Sequence, residues 1–503
     1  MKKILLYGIS AGCLLLASCS LDKDPISDYS EVIIGEEGSD SIKYATRAEM
    51  LTQYEGMYSI LQGNNTQEKW YMDYLEFAEV RADNAYAGGT SNGIVSLEQH
   101  SQDGDNTIVL RNWKMFLENI NAANIIICNV DLVPDLALTQ TERQHWKAEA
   151  KILRAWMMFE MVRLWGEVPV LIEETPQITA DNIEEIYPLL FPERRPVDEV
   201  YAQIIEDLTD ASLDAPAVDN TNKFKLTKAV ANALLAKVYA EKPVRDYSKV
   251  IQYCTAVEAD GFTLMPNYSD LFSVNAAKTD VNYRNTPESI FEVVYPQGSG
   301  NWVTWMFGID LCDPSSTYNW AKWVTPSRDL VKAYEDEGDM VRMNEAIVWG
   351  QPSWSIYYPS NHYPFMYKTR SRFNSIIKLR LADILLLKAE AYVATNNLPA
   401  AVALVNQVRT RAGLSGLPSS VTGSQDRMKD AVLKERRLEL AYEGQRWFDL
   451  VRNDKVINVV NTLPSRDSGR LTIKYPLTEE TILLPIPQEE MDKNPNLTQN
   501  PGY

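Results

Sequence analysis

Apolar residues recur at helical spacing along most of the chain. After Thr141, large apolar side chains return at Ile152, Trp156 and Phe159, which is the pattern of a helix with one buried face. Thr141 and Gln144 fit a capping box, in which a side chain at each position bonds to the backbone of the other. The pattern predicts a long amphipathic helix that begins close to Thr141.

Two helical stretches repeat each other. Residues 236–239 (A-K-V-Y) match residues 389–392 (A-E-A-Y), and Ser248 matches Ala401 at the same offset. A small residue, an aromatic residue and a second small residue in the next helix are typical of tetratricopeptide helix pairs. Any antiparallel helix pair with an alanine-rich seam would give the same pattern. We predict a mostly α-helical fold, in which tetratricopeptide-like pairs form a superhelical scaffold with long loops and a few short strands.

Helical spacing fades between residues 262 and 375. Pro, Gly, Asn, Tyr and Trp become frequent there, and residues 289–295 form a β-prone run. Thr325 before Pro326 is a cap and first-turn pair that predicts the start of a helix. We expect long loops and a few strands laid over the helical scaffold, and loops on a rigid scaffold are where ligands usually bind.

The first residues have the pattern of an export signal. Lys2 and Lys3 precede a short apolar run, and residues 16–19 (L-A-S-C) resemble the lipobox of bacterial lipoproteins. The run is too short to cross a bilayer, which needs about 20 apolar residues. We expect cleavage before Cys19, lipidation of Cys19 and attachment to a membrane through the lipid anchor only. The alternative is a plain signal peptide followed by an incidental cysteine.

This signal divides the chain into predicted parts. Residues 1–18 are the lipoprotein signal peptide, residues 19–40 an acidic flexible tether, and residues 41–503 a single domain. Residues 262–375 are the loop-rich ligand region within that domain. Acidic residues soon after the lipidated cysteine resemble the surface-export signal of Bacteroidetes lipoproteins. We therefore expect an outer-membrane protein that faces the cell exterior.

Charge and cysteine usage restrict the possible partners. The net charge of −19 repels phosphate groups, so we expect no nucleic-acid partner. After Cys19 only Cys128, Cys254 and Cys312 remain, which is too few for a disulfide framework. We expect these three to be small buried residues.

We expect no cofactor and no metal ion. His100, His145 and His362 are far apart in sequence and do not have the spacing of zinc ligands. Residues 103–106 (D-G-D-N) could offer oxygens to calcium, but they lack the twelve-residue calcium loop pattern. A solvated turn is the expected structure there.

The last third of the chain carries five motifs in one order. They are L-R-L-A-D-I-L-L-L-K-A-E-A-Y, V-N-Q-V-R-T-R-A-G-L, K-E-R-R-L-E-L-A-Y-E-G-Q-R-W-F-D-L-V-R, L-L-P-I-P-Q-E-E-M and N-P-N-L-T-Q-N-P-G-Y. Together they resemble the SusD/RagB family of outer-membrane nutrient-binding lipoproteins. The resemblance implies tetratricopeptide-like helix pairs and a protein that captures glycan and delivers it to a SusC-like TonB-dependent transporter. It implies a binding protein, not an enzyme.

Two other functions remain open from the sequence. The RagB branch of the family binds peptides, so peptide capture is one alternative. A surface glycoside hydrolase is the other, since it needs only two carboxylates in distinct environments. The chain has no H-E-x-x-H or phosphate-loop signature, which counts against an enzyme.

Tryptophans crowd residues 301–323, a segment rich in Gly, Pro and Ser. Exposed aromatic rings cover the C–H faces of sugars, and polar side chains bind the hydroxyl rims. We predict that this cluster binds a glycan and that replacing Trp302 or Trp320 by Ala abolishes retention without unfolding. Each tryptophan taken singly is equally well explained as a core residue. The members of the cluster are Trp302, Trp305, Trp320 and Trp323.

Two further sets are candidate ligand contacts. Asp83, Asn84 and Tyr86 precede a Gly-Gly turn and resemble an early loop of the family that reaches the ligand. The alternative is a turn that satisfies its own backbone. Trp354, flanked by Pro and Ser, is the strongest member of a third set, whose other members are Trp349, Tyr357 and Tyr358.

The third motif has a structural explanation. Glu435, Glu439 and Glu443 recur every four residues with arginines between them, which predicts ion pairs along one helix face. Asp449 and Arg452 are expected to pair in a buried or half-buried position. The terminal L-P-I-P and Q-N-P-G-Y segments predict an extended strap on the body of the protein.

Overall fold

The protein is mostly α-helical with short strands, as predicted. The computed structural model describes residues 42–174, 183–317 and 321–503, so the predicted signal peptide, the tether, Cys19 and Trp320 lie outside the described residues. The helices are α1 (Arg47–Gln62), α2 (Asn64–Thr66), α3 (Asn92–Glu98), α4 (Thr107–Asn129), α5 (Gln140–Trp165), α6 (Ile183–Leu190), α7 (Val197–Asp214), α8 (Lys228–Ala240), α9 (Tyr247–Ala259), α10 (Arg328–Glu337), α11 (Met340–Ala346), α12 (Leu381–Ala394), α13 (Leu398–Arg411), α14 (Ser419–Thr422), α15 (Gln425–Glu439), α16 (Arg446–Arg452), α17 (Val456–Arg466) and α18 (Gln488–Lys493).

Short elements complete the fold. The strands are β1 (Ala85–Tyr86), β2 (Ser289–Val293), β3 (Thr325–Pro326), β4 (Ile347–Gly350), β5 (Tyr363–Met366) and β6 (Ile376–Arg380). They form three antiparallel pairs, β1 with β3, β2 with β6, and β4 with β5. Two π-helical stretches, Gln67–Asp73 and Glu76–Val80, lead into β1.

The helices pack on one another largely in chain order. Helix α4 packs on α5, α5 on α7, α7 on α8, α8 on α9, α9 on α12, and α12 on both α13 and α15. The two repeated stretches are the first helices of the pairs α8–α9 and α12–α13, and Ala236 and Ala389 are fully buried in them. The predicted helix-pair scaffold is confirmed.

Helix α5 begins two residues earlier than the sequence pattern predicts. Its capping box is formed by Thr139 and Glu142 rather than by Thr141 and Gln144. The backbone N–H of Thr139 donates to Glu142 Oε2 at 3.1 Å, and Thr139 Oγ1 accepts from the N–H of Glu142. Arg47 pairs with Glu142 at 2.6 Å, which holds this carboxylate at the helix start.

The predicted helix start at Thr325 and Pro326 is wrong. These residues form β3, in which Pro326 pairs with Ala85 and Thr325 with Tyr86 of β1. Helix α10 is capped instead by Ser327, whose Oγ accepts from the N–H of Leu330 at 3.1 Å. The predicted strand at residues 289–295 is confirmed as β2.

The C-terminal strap packs onto the body, as predicted. Leu484 and Ile486 are fully buried, and the indole N–H of Trp165 donates to the carbonyl of Pro485 at 3.1 Å. The amide of Asn500 donates to the carbonyls of Trp165 and Leu484. The main hydrophobic core accordingly includes residues from Met50 to Leu497.

The glutamates of α15 do not form the predicted ion pairs along the helix. Glu439 is fully buried and forms ion pairs with Arg342, Arg380 and Arg411, which belong to α11, β6 and α13 respectively. Because these arginines come from distant segments, the glutamates tie several elements to one helix. The network also includes Glu435, which pairs with Arg342 at 2.7 Å.

A second buried network joins α8, α12, α15 and α16. Arg436 bridges Asp383 at 2.7 Å and Asp449 at 2.9 Å, and Asp449 also pairs with Arg452 at 2.7 Å. The predicted pairing of Asp449 with Arg452 is confirmed. Lys237 adds a fourth helix through Asp383, at 2.6 Å.

The cysteines in the described part of the chain are free thiols. Cys254 is buried, whereas Cys128 and Cys312 are half-buried, so the expected burial holds for Cys254 alone. Over the described ranges, no helix combines the length and the apolar character that a bilayer crossing requires.

Candidate functional site

An aromatic surface lies on the β4–β5 hairpin. The strands pair antiparallel, with Trp349 opposite Pro364 and Gly350 opposite Tyr363, and residues 351–362 form the connecting loop. We name the half-buried and exposed aromatic side chains of this hairpin and loop the hairpin surface. Its members are Trp349, Trp354, Tyr358 and His362, whereas Tyr357 and Tyr363 of the same hairpin are buried.

Trp349 and His362 form the flattest part of the hairpin surface. Their rings stack with centroids 4.1 Å apart and an angle of 1° between the planes. Trp349 is half-buried and packs on one side against the main core, and His362 is exposed. Tyr358 meets Trp349 edge-on at 6.0 Å and thereby supports it from the side. The pair offers a ring surface on which the C–H face of a sugar can lie.

Trp354 is held by a lysine. The ammonium of Lys322 lies 3.1 Å from the centroid of the indole ring, and the ring stays half-buried. Burial lowers the pKa of Lys322 to about 8, so the lysine remains mostly protonated at neutral pH. Since a cation over the ring fixes its orientation, the accessible part of Trp354 is pre-oriented for a ligand.

Glu98 anchors the loop of the hairpin surface from below. Its Oε2 accepts from Tyr357 Oη at 2.7 Å and from the N–H of Ala87 at 2.8 Å. Its Oε1 accepts from the N–H of Leu471 at 2.9 Å. Tyr357 also stacks on Tyr86, with centroids 4.6 Å apart, and both rings are buried. These tyrosines therefore support the surface rather than form its face.

Trp305 lies on a neighbouring turn. It belongs to the 3-10 helix Val303–Phe307 and is 42% exposed, the largest exposure among the described tryptophans. The turn starts at Asn301, whose amide donates to the carbonyl of Arg372 at 3.0 Å and whose Oδ1 accepts from the N–H of Thr304. This clamp fixes the position at which Trp305 reaches solvent.

Gly308 brings that turn against the hairpin. Its φ is +122°, and a Cβ at this position would lie 2.2 Å from Cδ1 of Phe365 on β5. A residue with a side chain fits neither the conformation nor the space. Gly308 therefore connects the turn that carries Trp305 with the strand that carries Tyr363.

Trp302 and Trp323 are half-buried against the main core. The backbone N–H of Trp302 donates to Gln67 Oε1 at 2.9 Å, and the backbone N–H of Trp323 donates to the carbonyl of Met306 at 3.0 Å. Of the predicted tryptophan cluster, Trp305 is thus the exposed member, and Trp302 and Trp323 pack mainly inward. Trp320 lies outside the described residues.

The early set forms a buried structural network, which counts against its predicted contact with ligand. Asp83 is buried and pairs with Arg446 at 2.7 Å, while Asn84 is buried and donates to Glu79 at 2.6 Å. Tyr86 is fully buried and donates from Oη to Asp467 Oδ1 at 2.6 Å. Because these polar atoms are engaged inside the protein, they are not available to a ligand at the surface.

Three arginines surround Asp83 with positive charge. Burial by itself would raise the pKa of Asp83, but Arg437, Arg446 and Arg466 outweigh it and hold the pKa well below its usual value. At neutral pH Asp83 is therefore an anion, and its ion pairs link the segment before β1 to α15, α16 and α17.

Two features of the surface were not predicted from the sequence. They are the stacked pair of Trp349 and His362 and the position of Lys322 beneath Trp354. Residues 347–350 and 363–366 are two β-prone runs. If they are predicted to pair as a hairpin, Trp349 and His362 are expected to lie close together.

The histidines of the protein lie in separate environments. His100 is buried and packs near Trp447, and burial lowers its pKa to about 3. His145 lies on α5 and His362 on the hairpin surface. Within the described ranges, no group of three His, Cys, Asp or Glu side chains is placed to hold a metal ion.

Exposed and half-exposed rings on clamped loops are suited to holding a ligand with flat apolar faces. The helix pairs beneath supply a rigid support, and the loops supply the contacts. The fold and the surface together define a ligand-binding protein on a helical-repeat scaffold.

Two family models match this chain. The model of the SusD family matches residues 315–503, and a model described as starch-binding, associating with outer membrane, matches residues 35–240. Together the two models cover residues 35–240 and 315–503, and the chain belongs to the SusD/RagB family.

Relatives support this assignment over most of the chain. A SusD-like protein of Formosa agariphila, P2, is 25% identical, and the aligned region covers 95% of this chain and 96% of the P2 chain. A SusD-like protein of Bacteroides ovatus is 26% identical, with coverages of 77% and 80%.

Solved structures share the fold. A SusD homolog from Bacteroides thetaiotaomicron has a TM-score of 0.74 at 19% identity, covering 91% of this chain and 97% of its own. A laminarin-binding SusD-like protein has a TM-score of 0.69 at 23% identity, covering 92% and 100%. At these identities the likeness concerns the fold alone.

Proposed function

We propose that this protein captures polysaccharide or oligosaccharide at the cell surface and delivers it to a TonB-dependent outer-membrane transporter. The observation that carries the proposal is the hairpin surface, where the stacked pair of Trp349 and His362 and the lysine-backed Trp354 reach solvent. Trp305 extends this aromatic area on the adjoining turn. The laminarin-binding relative of the same fold agrees with a glycan ligand.

The surface suits a neutral glycan. Rings cover the C–H faces of sugar units, and stacked or lysine-backed rings lose little conformational freedom when a ligand binds. The overall net charge of −19 disfavours strongly anionic chains. We therefore expect neutral polysaccharides to bind in preference to sulfated ones.

Delivery requires attachment to the outer membrane. The lipobox-like sequence ending at Cys19 and the matching model that describes outer-membrane association support a lipid anchor. We propose that Cys19 carries the lipid, that the domain faces the exterior, and that a SusC-like transporter is its partner. Loss of palmitate labelling in a Cys19→Ala variant tests the anchor. Co-purification of a transporter from solubilised outer membranes tests the partner.

We propose that the ligand is bound without chemical change. The carboxylate beneath the hairpin surface, Glu98, already accepts hydrogen bonds from Tyr357, Ala87 and Leu471. A carboxylate engaged in this way is a support for the loop and not a free acid or base.

Affinity gel electrophoresis tests the function. The soluble chain without its lipid is run in gels that contain laminarin, starch, xylan or galactomannan, and binding of casein peptides is measured in parallel. We expect retardation by at least one polysaccharide and no release of reducing sugar. Binding of peptides alone would favour the RagB-like alternative, and release of sugar would show a hydrolase. Either result contradicts the proposal.

A further inference from the structure

A cleft of about 470 Å³ is lined by residues outside the hairpin. It is formed where the starts of α3 and α4 meet the segment that carries Lys474 and Tyr475. Tyr475 is 65% exposed, more than any other described aromatic side chain.

The floor of the cleft is rigid. Asn106 Oδ1 accepts from the N–H groups of Ile108 and Val109, and Asn106 Nδ2 donates to the carbonyl of Gly93 at 2.9 Å and to Ser96 Oγ at 3.0 Å. All four hydrogen-bonding positions of this buried amide are used. The side chain therefore fixes α3 against α4 and leaves the shape of the cleft pre-formed.

The walls carry polar groups that are available to a ligand. Asn92, Asp105 and Thr107 are exposed, and their side chains form no hydrogen bond with the described part of the protein. Lys474 is exposed and forms no ion pair with the described residues. An amide, a carboxylate, a hydroxyl and an ammonium beside an exposed phenol ring match a sugar, which offers hydroxyl groups and C–H faces.

Hydrogen bonds and a close backbone approach connect the segments that form the cleft to the hairpin surface. Glu98 bonds to Tyr357 of the hairpin loop and also to the N–H of Leu471, three residues before Lys474. A Cβ on Gly88 would lie 1.7 Å from the carbonyl oxygen of Lys322, the residue beneath Trp354. Ser91, which lines the cleft, follows Gly88 by three residues, or at most about 11 Å of extended chain.

We propose that this cleft is a second saccharide subsite, which holds sugar units of the same chain that lies on the hairpin surface. Tyr475 stacks on a sugar face, and Asn92, Asp105 and Lys474 bind hydroxyl groups. The carboxylates of Asp103 and Asp105 at the cleft select uncharged sugars over uronic or sulfated ones. This proposal rests on the proposed function, because it requires a glycan ligand.

Hydroxyl-radical footprinting tests the subsite directly. The probe is the hexasaccharide prepared from whichever of laminarin, starch, xylan or galactomannan the wild-type chain retains. We expect the hexasaccharide to lower the oxidation rate of Tyr475 at least twofold. Met340, which is 48% exposed on α11, serves as a reference that should not change.

Substitutions at the ring complete the test. Tyr475→Ala should weaken hexasaccharide binding by threefold to tenfold, whereas Tyr475→Phe, which keeps the ring, should bind within twofold of wild type. Unchanged oxidation of Tyr475, or equal affinity of Tyr475→Ala and wild type, overturns the subsite and leaves the proposed function standing. If the wild-type chain retains none of the four polysaccharides, both proposals fail.

Discussion

Trp354 of the hairpin surface and Trp302 of the 301–323 cluster have different contacts. Trp354 rests on an ammonium and keeps part of its ring in solvent, whereas Trp302 packs against the core. A ring contact with a ligand is worth about 1 kcal/mol, or roughly fivefold in Kd. Removing a large ring from a packed site costs about 3–5 kcal/mol of stability when it is fully buried.

Trp354→Ala and Trp302→Ala should therefore separate binding from stability. We expect Trp354→Ala to weaken glycan binding about fivefold with little change in Tm, and Trp302→Ala to lower Tm clearly. Calorimetric titration and thermal unfolding measure the two effects. Equal loss of Tm in both variants would contradict the assignment of Trp354 to the surface.

Asp83 offers a test of a buried charge. Replacing it by Asn leaves Arg446 without its anion, whereas Arg437 keeps its ion pair with Asp329, and breaking a buried pair as at Arg446 costs about 3–5 kcal/mol. We expect Asp83→Asn to lower the free energy of unfolding in urea by that amount, with glycan affinity unchanged in the folded protein.

The matched control for Asp83 is Asp336→Asn. Asp336 forms an exposed ion pair with Lys332, and such pairs contribute at most about 1 kcal/mol. If Asp83→Asn lost glycan binding while keeping wild-type stability, Asp83 would be a ligand contact after all.

The sequence could predict that rings gather in residues 301–323 and 349–358, but not which of them reach solvent. Exposure depends on partners that are distant in the chain. The backbone of Trp302 is bound by Gln67 and its ring packs on the main core, while the ring of Trp349 stacks on His362 across the hairpin. Asp83 was expected at the surface because its arginine partners, such as Arg446, lie hundreds of residues away.

Helix α15 is held by charge as well as by apolar packing. Burial by itself would raise the pKa of Glu439, but Arg411, Arg380 and Arg342 outweigh it and hold the pKa well below its usual value. A carboxylate with a lowered pKa stabilises the fold above its unfolded pKa, about 4.3, and this contribution is lost as the pH falls further.

Glu439→Gln should reveal that contribution. At pH 7 we expect the variant to lose about 3–5 kcal/mol of stability, because three arginines lose their shared anion. Between pH 5 and pH 3 its Tm should fall less steeply than that of wild type, because one titrating group has been removed. Glu335→Gln, at an exposed position on α10, is the control. Parallel Tm profiles of Glu439→Gln and wild type would contradict the role of the network.

Gly308 tests the coupling of the Trp305 turn to β5. Gly308→Ala meets both an unfavourable φ of +122° and the ring of Phe365, whereas Gly298→Ala meets only a positive φ of +91° in open space. We expect Gly298→Ala to cost about 1 kcal/mol and Gly308→Ala clearly more. Only Gly308→Ala should also weaken glycan binding. Equal effects of the two substitutions would show that the close approach to Phe365 has no importance.

Helices were easier to predict than strands, for a physical reason. Helix α5 is specified by local spacing and local caps, so its prediction was wrong by only two residues at its start. Strand β3 exists because Pro326 pairs with Ala85, a partner that no local pattern indicates. The α15 network was missed for the same reason, since its arginines come from α11, β6 and α13.

At the scale of the whole molecule, helix pairs form the scaffold and loops carry the predicted ligand contacts. The helix pairs and the C-terminal strap share one large core, which fixes the loops that carry the hairpin surface. The division into signal peptide, tether and single domain stays a prediction, as does the lipid at Cys19. Binding at the hairpin surface is the claim on which the proposed function depends.

A calorimetric titration with the retained polysaccharide's hexasaccharide tests that claim most directly. It compares wild type, the double variant Trp349→Ala/Trp354→Ala, and Tyr187→Ala, which removes an exposed ring on α6 far along the chain from the hairpin. The account predicts saturable binding by wild type and by Tyr187→Ala, and at least a twentyfold weaker Kd for the folded double variant, from roughly 1 kcal/mol for each ring. Equal affinity of the double variant and wild type would contradict it.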